Sequence, residues 1–433
     1  MLKIALIALA LLCAHGVLAA NLSAREARVA AAVVADQGRN VALLEKLVNI
    51  NSGTFNLAGV GRVAAELETE FKTLGFTTRL VNEDAVNRAP SLLATHRGGR
   101  GKHVLLLGHM DTVFEPSSPF QRMTREGDRA AGPGVNDMKG GLVVIMGALR
   151  ALKQTDALAG VNVTVFLTGD EEAAGEPILE SRKDLIETAK KADAALSFEG
   201  LVIVDGKQYA SIARRGSAQW TLEVSATAAH SGGIFSPATG DGAGFELARI
   251  LSRFHDTLRE PNMTYSVGLL LAGSQIKVAE DGQASVFGKD NIVPPQGYAR
   301  GDLRVLYPEQ LERVHGKMRA IVADNLPGTH AKISFEDTYP PMAPTPGNAA
   351  ILATLNEVNA RLGAPHLDAL DPMKRGAGDA SFIAPFVDVL DGVGMPGEGS
   401  HTPSETTDLS FLPLQCKRAA LLIMALSQQH PRH

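Results

Sequence analysis

Three carboxylates in a row, Asp170, Glu171 and Glu172, close the stretch V-N-V-T-V-F-L-T-G-D-E-E at 161–172. Residues leaving a strand point alternately to opposite sides. Neighbouring carboxylates there can take different tasks, one fixed on a cation and one free to move a proton. Read alone, the tripeptide is an acidic turn, so its partners decide the chemistry. His109 and Asp111 are separated by one residue in G-H-M-D-T-V. On an extended backbone both face one way, and Asp111 can accept the ring proton that His109 does not use for a metal, fixing the tautomer. Asp137 stands in G-P-G-V-N-D-M-K-G-G, Glu199 in S-F-E-G, and His401 in the late G-E-G-S-H-T-P-S-E. Among the 12 histidines, His109 and His401 stand out because each lies in a glycine-flanked loop beside carboxylates. Imidazole and carboxylate together suit a borderline ion such as Zn(II), and two ions bridged by one carboxylate would use the whole set.

These residues serve one site only if the fold brings them together. In an open α/β sheet the carboxyl ends of parallel strands share one rim, where ligands bind. The patterning predicts strands at 77–81, 91–95, 103–107, 161–168, 194–198 and 386–390. Helices are predicted at about 24–49, 58–74, 140–152, 177–189 and 349–362, and from about Asp408 onward. This alternation argues an α/β domain with a mostly parallel sheet flanked by helices. Near Arg214 the rhythm changes. Strands at 218–226, 264–271, 298–306 and 331–335, with helices at 243–259 and 308–325, suggest a small α+β domain with one helical layer on an antiparallel sheet. The chain is thus divided into 21–213 and 341–433 as one domain and 214–340 as an insertion. Pro340, Pro341, Pro344 and Pro346 form the return linker.

At 433 residues the chain is too long for one compact core. A formal net charge of -5 gives no electrostatic reason to expect nucleic acid. Residues 1–20 read as a secretory signal, with Lys3, an apolar run at 4–12 and a cleavage region at 17–20. The run is short for a bilayer span, so no stable membrane anchor is expected. Cys13 would leave with the signal and Cys416 would remain alone, so a metal site must use His and carboxylate. A periplasmic or secreted protein follows.

Five motifs in order, G-H-M-D-T-V, G-P-G-V-N-D-M-K-G-G, T-G-D-E-E, S-F-E-G and G-x-G-S-H-T-P-S-E, resemble the dizinc peptidase/deacylase family. That family includes glutamate carboxypeptidase (carboxypeptidase G), aminoacylase, acetylornithine deacetylase and succinyl-diaminopimelate desuccinylase. The resemblance covers nearly the whole mature chain. It implies two Zn2+ per chain bridged by Asp137, with His109 and Glu199 completing one and Glu172 and His401 the other. It implies Glu171 as general base, Asp111 as the residue orienting His109, and a cis peptide at Asp137–Met138. The implied reaction is amide hydrolysis in which Glu171 takes a proton from water and returns it to the leaving nitrogen. In the inserted domain, His230 in A-H-S-G resembles a histidine that reaches a neighbouring subunit's site. Asn291 in N-I-V-P resembles a substrate contact, and Arg304 in G-D-L-R-V resembles a carboxylate holder. Gly376 opens the substrate-facing loop, and a homodimer through the inserted domain is implied.

The sequence departs from the family pattern twice. Residues 376–379 read G-A-G-D where the pattern has G-G-T-D, and the segment after His230 is longer. The resulting expectation is an exported metallocarboxypeptidase cleaving a small peptide or N-acyl amino acid with a free carboxylate. An N-acyl-amino-acid deacylase or dipeptidase is the alternative within the class. A non-catalytic binding protein on the same scaffold would have lost a ligand or the base, and neither is missing.

Overall fold

The computed structural model describes residues 21–279 and 282–431; the expected signal at 1–20 and the terminal His433 lie outside them. Among these residues the larger body holds a six-stranded sheet in the order Thr77–Val81, Ser91–His96, Asn162–Thr168, His103–His109, Ala194–Ser197, Val389–Asp391. The last four run parallel. The first two join antiparallel at one edge. His103–His109 is buried along its length, as a parallel strand covered on both faces must be. Its side chains alternate between two cores. Val104 and Leu106 join one with Leu44, Val144 and Leu422, while Leu105 and Leu107 join another with Leu185 and Ile383.

Helix Lys139–Gln154 lies close on this sheet because Gly141 lacks a side chain. A Cβ there would stand 2.0 Å from the carbonyl oxygen of Phe198. That approach sets the turn before the helix beside Glu199. The last helix, Leu412–Ser427, is apolar because it is largely buried in the first core.

Tertiary partners redraw several predicted boundaries. The helix expected over 24–49 is two, Ala24–Ala35 and Gln37–Val48. Asp36 takes the break, and its carboxylate lies 3.1 Å from the buried Arg150. The helix expected over 177–189 divides at Arg182 into Ile178–Ser181 and Lys183–Ala189. The strand expected over 386–390 begins at Val389 and ends at Asp391.

From Ser217 to Tyr339 the chain builds a second, antiparallel sheet. Ser217–Ala226 lies between Gln296–Arg304 and Thr329–Tyr339. The strand expected over 264–271 is two, Thr264–Tyr265 and Leu269–Gly273, both paired with Gln296–Arg304. Gln275–Val278 also pairs with Ala284–Phe287, which the strand predictions omitted although Asp281-Gly282 between two alternating runs is a hairpin signal. Helices Gly242–Thr257 and Pro308–Ala323 enclose a separate core containing Trp220, Phe254 and Val314. Exit and return run side by side: Arg214 and Met342 exchange backbone hydrogen bonds of 2.9 and 3.0 Å.

Candidate dinuclear metal site

The parallel strands deliver their acids to one rim. His109 is the last residue of its strand, Thr168 leads into Asp170–Glu172, and Ser197 leads to Glu199. Asp137 comes from the turn before helix Lys139–Gln154, whose electropositive start favours a carboxylate. The Asp137–Met138 peptide is cis. His401 reaches the rim from the loop 397–405 with a left-handed backbone, φ 63°, which non-glycine residues rarely take.

Asp137 lies between the two imidazoles. Its Oδ1 is 3.2 Å from His109 Nε2 and its Oδ2 is 3.1 Å from His401 Nε2. Glu199 Oε1 stands 3.5 Å from His109 Nε2, and Glu172 Oε2 stands 3.0 Å from His401 Nε2. One carboxylate thus faces two His–Glu pairs, one with each oxygen. Glu171 places an oxygen within 4.8 Å of the His109 and Glu199 donors. This donor set, two imidazoles and carboxylates around a shared carboxylate, fits a pair of borderline divalent ions.

Burial and mutual contact shift the ionisation of these groups in opposite directions. Burial pushes the Glu171 carboxyl well above the usual range, with Glu199, Asp379 and Glu172 adding to the rise. Glu172 is pushed up to about 7, chiefly by burial. Burial also opposes ionisation of Asp137, but hydrogen bonds from His109 and His401 outweigh it and hold that carboxyl low. Burial opposes charge on His109, yet Asp111, Asp137 and Glu199 raise its pKa well above the ordinary value. Hydrogen bonds to Asp137 and Glu172 push His401 up to about 11.

Buried groups hold these residues in place. Asp111 Oδ1 is 3.3 Å from His109 Nδ1. Its two oxygens also accept the backbone N–H groups of Glu171 (3.0 Å) and Glu172 (3.1 Å) and the Thr54 hydroxyl (2.7 Å). Asp170 accepts from Gly175 N at 2.8 Å and pairs with Arg182 at 2.6 Å; Arg182 also pairs with Asp379 at 2.6 Å. Glu405 accepts from the backbone N–H groups of Gly134, Asn136 and Asp137 at 2.9–3.0 Å, and Asn136 Nδ2 donates to Ser400 Oγ at 2.8 Å. The turn carrying Asp137 and the loop carrying His401 are therefore joined. Tyr339, ending the second sheet, donates its hydroxyl to the Glu171 carbonyl at 3.1 Å.

A cavity of about 440 Å³ opens over the site, lined by Asp137, Glu171, Glu172, Glu199 and His401, and by Arg214, Arg375 and Gly376. Arg375 Nη2 lies 3.7 Å from Glu199 Oε2. Arg304 is partly buried and paired with Asp302 at 3.0 Å. It reaches toward the loop: a Cβ on Gly376 would stand 4.0 Å from Arg304 Nη1. His230 and Asn291 are brought together elsewhere. Ala229–His230 pairs with Ile292–Val293, and the backbone N–H of Ser231 donates to Asn291 O at 3.1 Å. Both are exposed, and neither lines this cavity.

Sequence reasoning missed Thr54, Asn136, Arg214, Arg375 and Glu405. Glu405 could have been found, since it closes the late motif four residues after His401. Nothing local marks Thr54, whose partner lies 57 residues away.

The sequence matches Peptidase family M20/M25/M40 over residues 105–425. Carboxypeptidase G2 of Pseudomonas sp. (strain RS-16) is 28% identical over 403 residues, covering 90% of this chain and 90% of the relative. Succinyl-diaminopimelate desuccinylase of Gluconacetobacter diazotrophicus is 24% identical over 359 residues, covering 81% and 88%. Among solved structures, aminopeptidase PepT from Bacillus cereus ATCC 10987 matches with a TM-score of 0.72 at 20% identity, over 90% of this chain and 99% of that one. At that identity the likeness shows the fold.

Proposed function

The chain belongs to peptidase family M20/M25/M40, hydrolases of peptide and acyl-amino-acid bonds, and from that membership we propose a dinuclear zinc hydrolase that releases a C-terminal amino acid. The observation that carries the reading is Asp137, with one oxygen toward His109 and the other toward His401. His109 and Glu199 would hold one ion, His401 and Glu172 the other, and Asp137 both. Bound there, the ions would supply Lewis acidity, making water more acidic and stabilising charge on the carbonyl oxygen. Glu171, its ionised form favoured beside such cations although burial opposes it, takes the proton from water and later delivers it to the leaving nitrogen. Asp111 keeps the His109 ring in the tautomer that leaves Nε2 free. Arg304, beyond Gly376, holds the substrate carboxylate through paired hydrogen bonds.

A panel of N-blocked dipeptides against N-acetyl amino acids tests the substrate. Release of the C-terminal residue from the dipeptides is expected. Activity on acetyl derivatives alone would replace this reading with a deacylase, which the likeness to a desuccinylase keeps as the second reading.

We also propose that the chain is exported, on the signal-like residues 1–20, and that it forms a homodimer through the segment 214–340. In a dimer His230 and Asn291, exposed and outside their own cavity, serve the partner's site. Fractionation of cells expressing the full chain tests the first, and sedimentation the second.

A further inference from the structure

Arg214 lies where the chain leaves the larger body, and its side chain turns back into it. It is 5% exposed. Nε donates to the carbonyl of Gly376 and Nη2 to that of Ala377, each at 2.7 Å. Nη1 pairs with the buried Asp391 at 3.0 Å. With three nitrogens of the planar fork engaged in different directions, the guanidinium has no room to swing. Gly378 follows in the same loop. A Cβ there would stand 2.7 Å from Cζ, Nη1 and Nη2 of Arg214 together. The end of a free arginine would yield to such a contact; this one is held. Gly376, two residues earlier, is open by comparison, with Arg304 Nη1 at 4.0 Å as the nearest atom to an added Cβ. The loop is therefore filled from beneath at 378 and open toward the cavity at 376. This is where G-A-G-D departs from the G-G-T-D pattern: the arginine occupies the space that a side chain at 378 would need.

We propose that Arg214 is a positioning residue of the substrate cavity, its guanidinium standing in for a side chain at position 378 and setting the wall made by Gly376 and Ala377. The proposal rests on the functional reading above, because this wall and Glu171 line the same cavity. A purely structural Arg214–Asp391 pair would be indifferent to residue 378.

The test uses four full-length, zinc-loaded proteins: the unaltered chain, Gly378→Ala, Arg214→Lys and the double variant. Lysine keeps a charge for Asp391 but loses the fork, and Arg214→Gln replaces it if the lysine protein does not accumulate. Gly378→Ala is expected to raise KM roughly tenfold or more through a misplaced wall, with kcat and metal content little changed. In the Arg214→Lys background the same change should cost far less. A Gly378→Ala protein with unaltered KM, or effects that simply multiply, would overturn the proposal. If the unaltered chain cleaves no member of the substrate panel, the functional reading falls instead. The thermal midpoints of the four proteins then still decide whether the positions are coupled, and additive midpoints reject the clash.

Discussion

Glu171 and Glu172 are neighbours in sequence, yet their surroundings give them different tasks. Glu172 closes on His401, whereas Glu171 has no imidazole ion pair among the described residues and stands beside the His109 and Glu199 donors, placed to move a proton. Glu171→Gln is therefore expected to lower turnover by about 10²–10⁴-fold while elemental analysis still finds two metal equivalents per chain; unchanged turnover would remove the base assignment. A pH effect follows from His401. Its pKa, pushed up to about 11 by Asp137 and Glu172, lies above the unfolded value of about 6.5. In chelator-treated protein this pairing contributes stability that is full below pH of about 6.5 and is lost as pH rises toward 11. Metal must displace that proton, so uptake near neutral pH releases protons. Calorimetry in buffers of different ionisation enthalpy measures the release, and a buffer-independent heat would contradict it. At this scale the acids and imidazoles were legible because their types are costly to bury and glycines flank them. Thr54 and Arg214 were not, since each acts on a partner remote in sequence.

At the scale of elements, the turn after strand Asn162–Thr168 is held by Arg182, which breaks a helix to reach Asp170 and Asp379. Arg182→Met leaves two buried carboxylates without their cation and is expected to cost about 3–5 kcal/mol, read by urea denaturation. A loss below the error of that measurement would show the trio to be dispensable. The buried strands of the rim were visible as apolar runs, but their order in the sheet was not, because it is set by crossovers that no local pattern records. The breaks at Asp36 and Arg182 were invisible, because helical spacing continues through both and the cause is a charged partner on another element. The first strand of the second sheet showed its alternation at 218–226, but the split at 264–273 depends on pairing with Gln296–Arg304, which no local pattern records.

At the scale of the molecule, ions bound at the proposed site would tie strand ends, the Asp137 turn and the His401 loop into one unit. Chelation is expected to lower the thermal midpoint, since ligand at 100 times its Kd stabilises the fold by about 2.7 kcal/mol; an unshifted midpoint would argue against tight sites. If His230 serves the partner's cavity, mixing His230→Ala with Glu171→Gln protein under exchange conditions restores activity that neither has alone; no recovery would rule out action across subunits, and full activity of His230→Ala alone would place His230 outside the reaction. The paired crossings at Arg214 and Met342 bear on engineering as well. Each crossing leaves a side chain anchored in the larger body: Arg214 on the 376–377 carbonyls and Tyr339 on the Glu171 carbonyl. A chimera that borrows its smaller unit from a relative should therefore be cut after Gly216 and before Tyr339, inside the visible neck. The host then keeps both anchors, and the donor brings only the surface proposed to meet substrate or a second subunit.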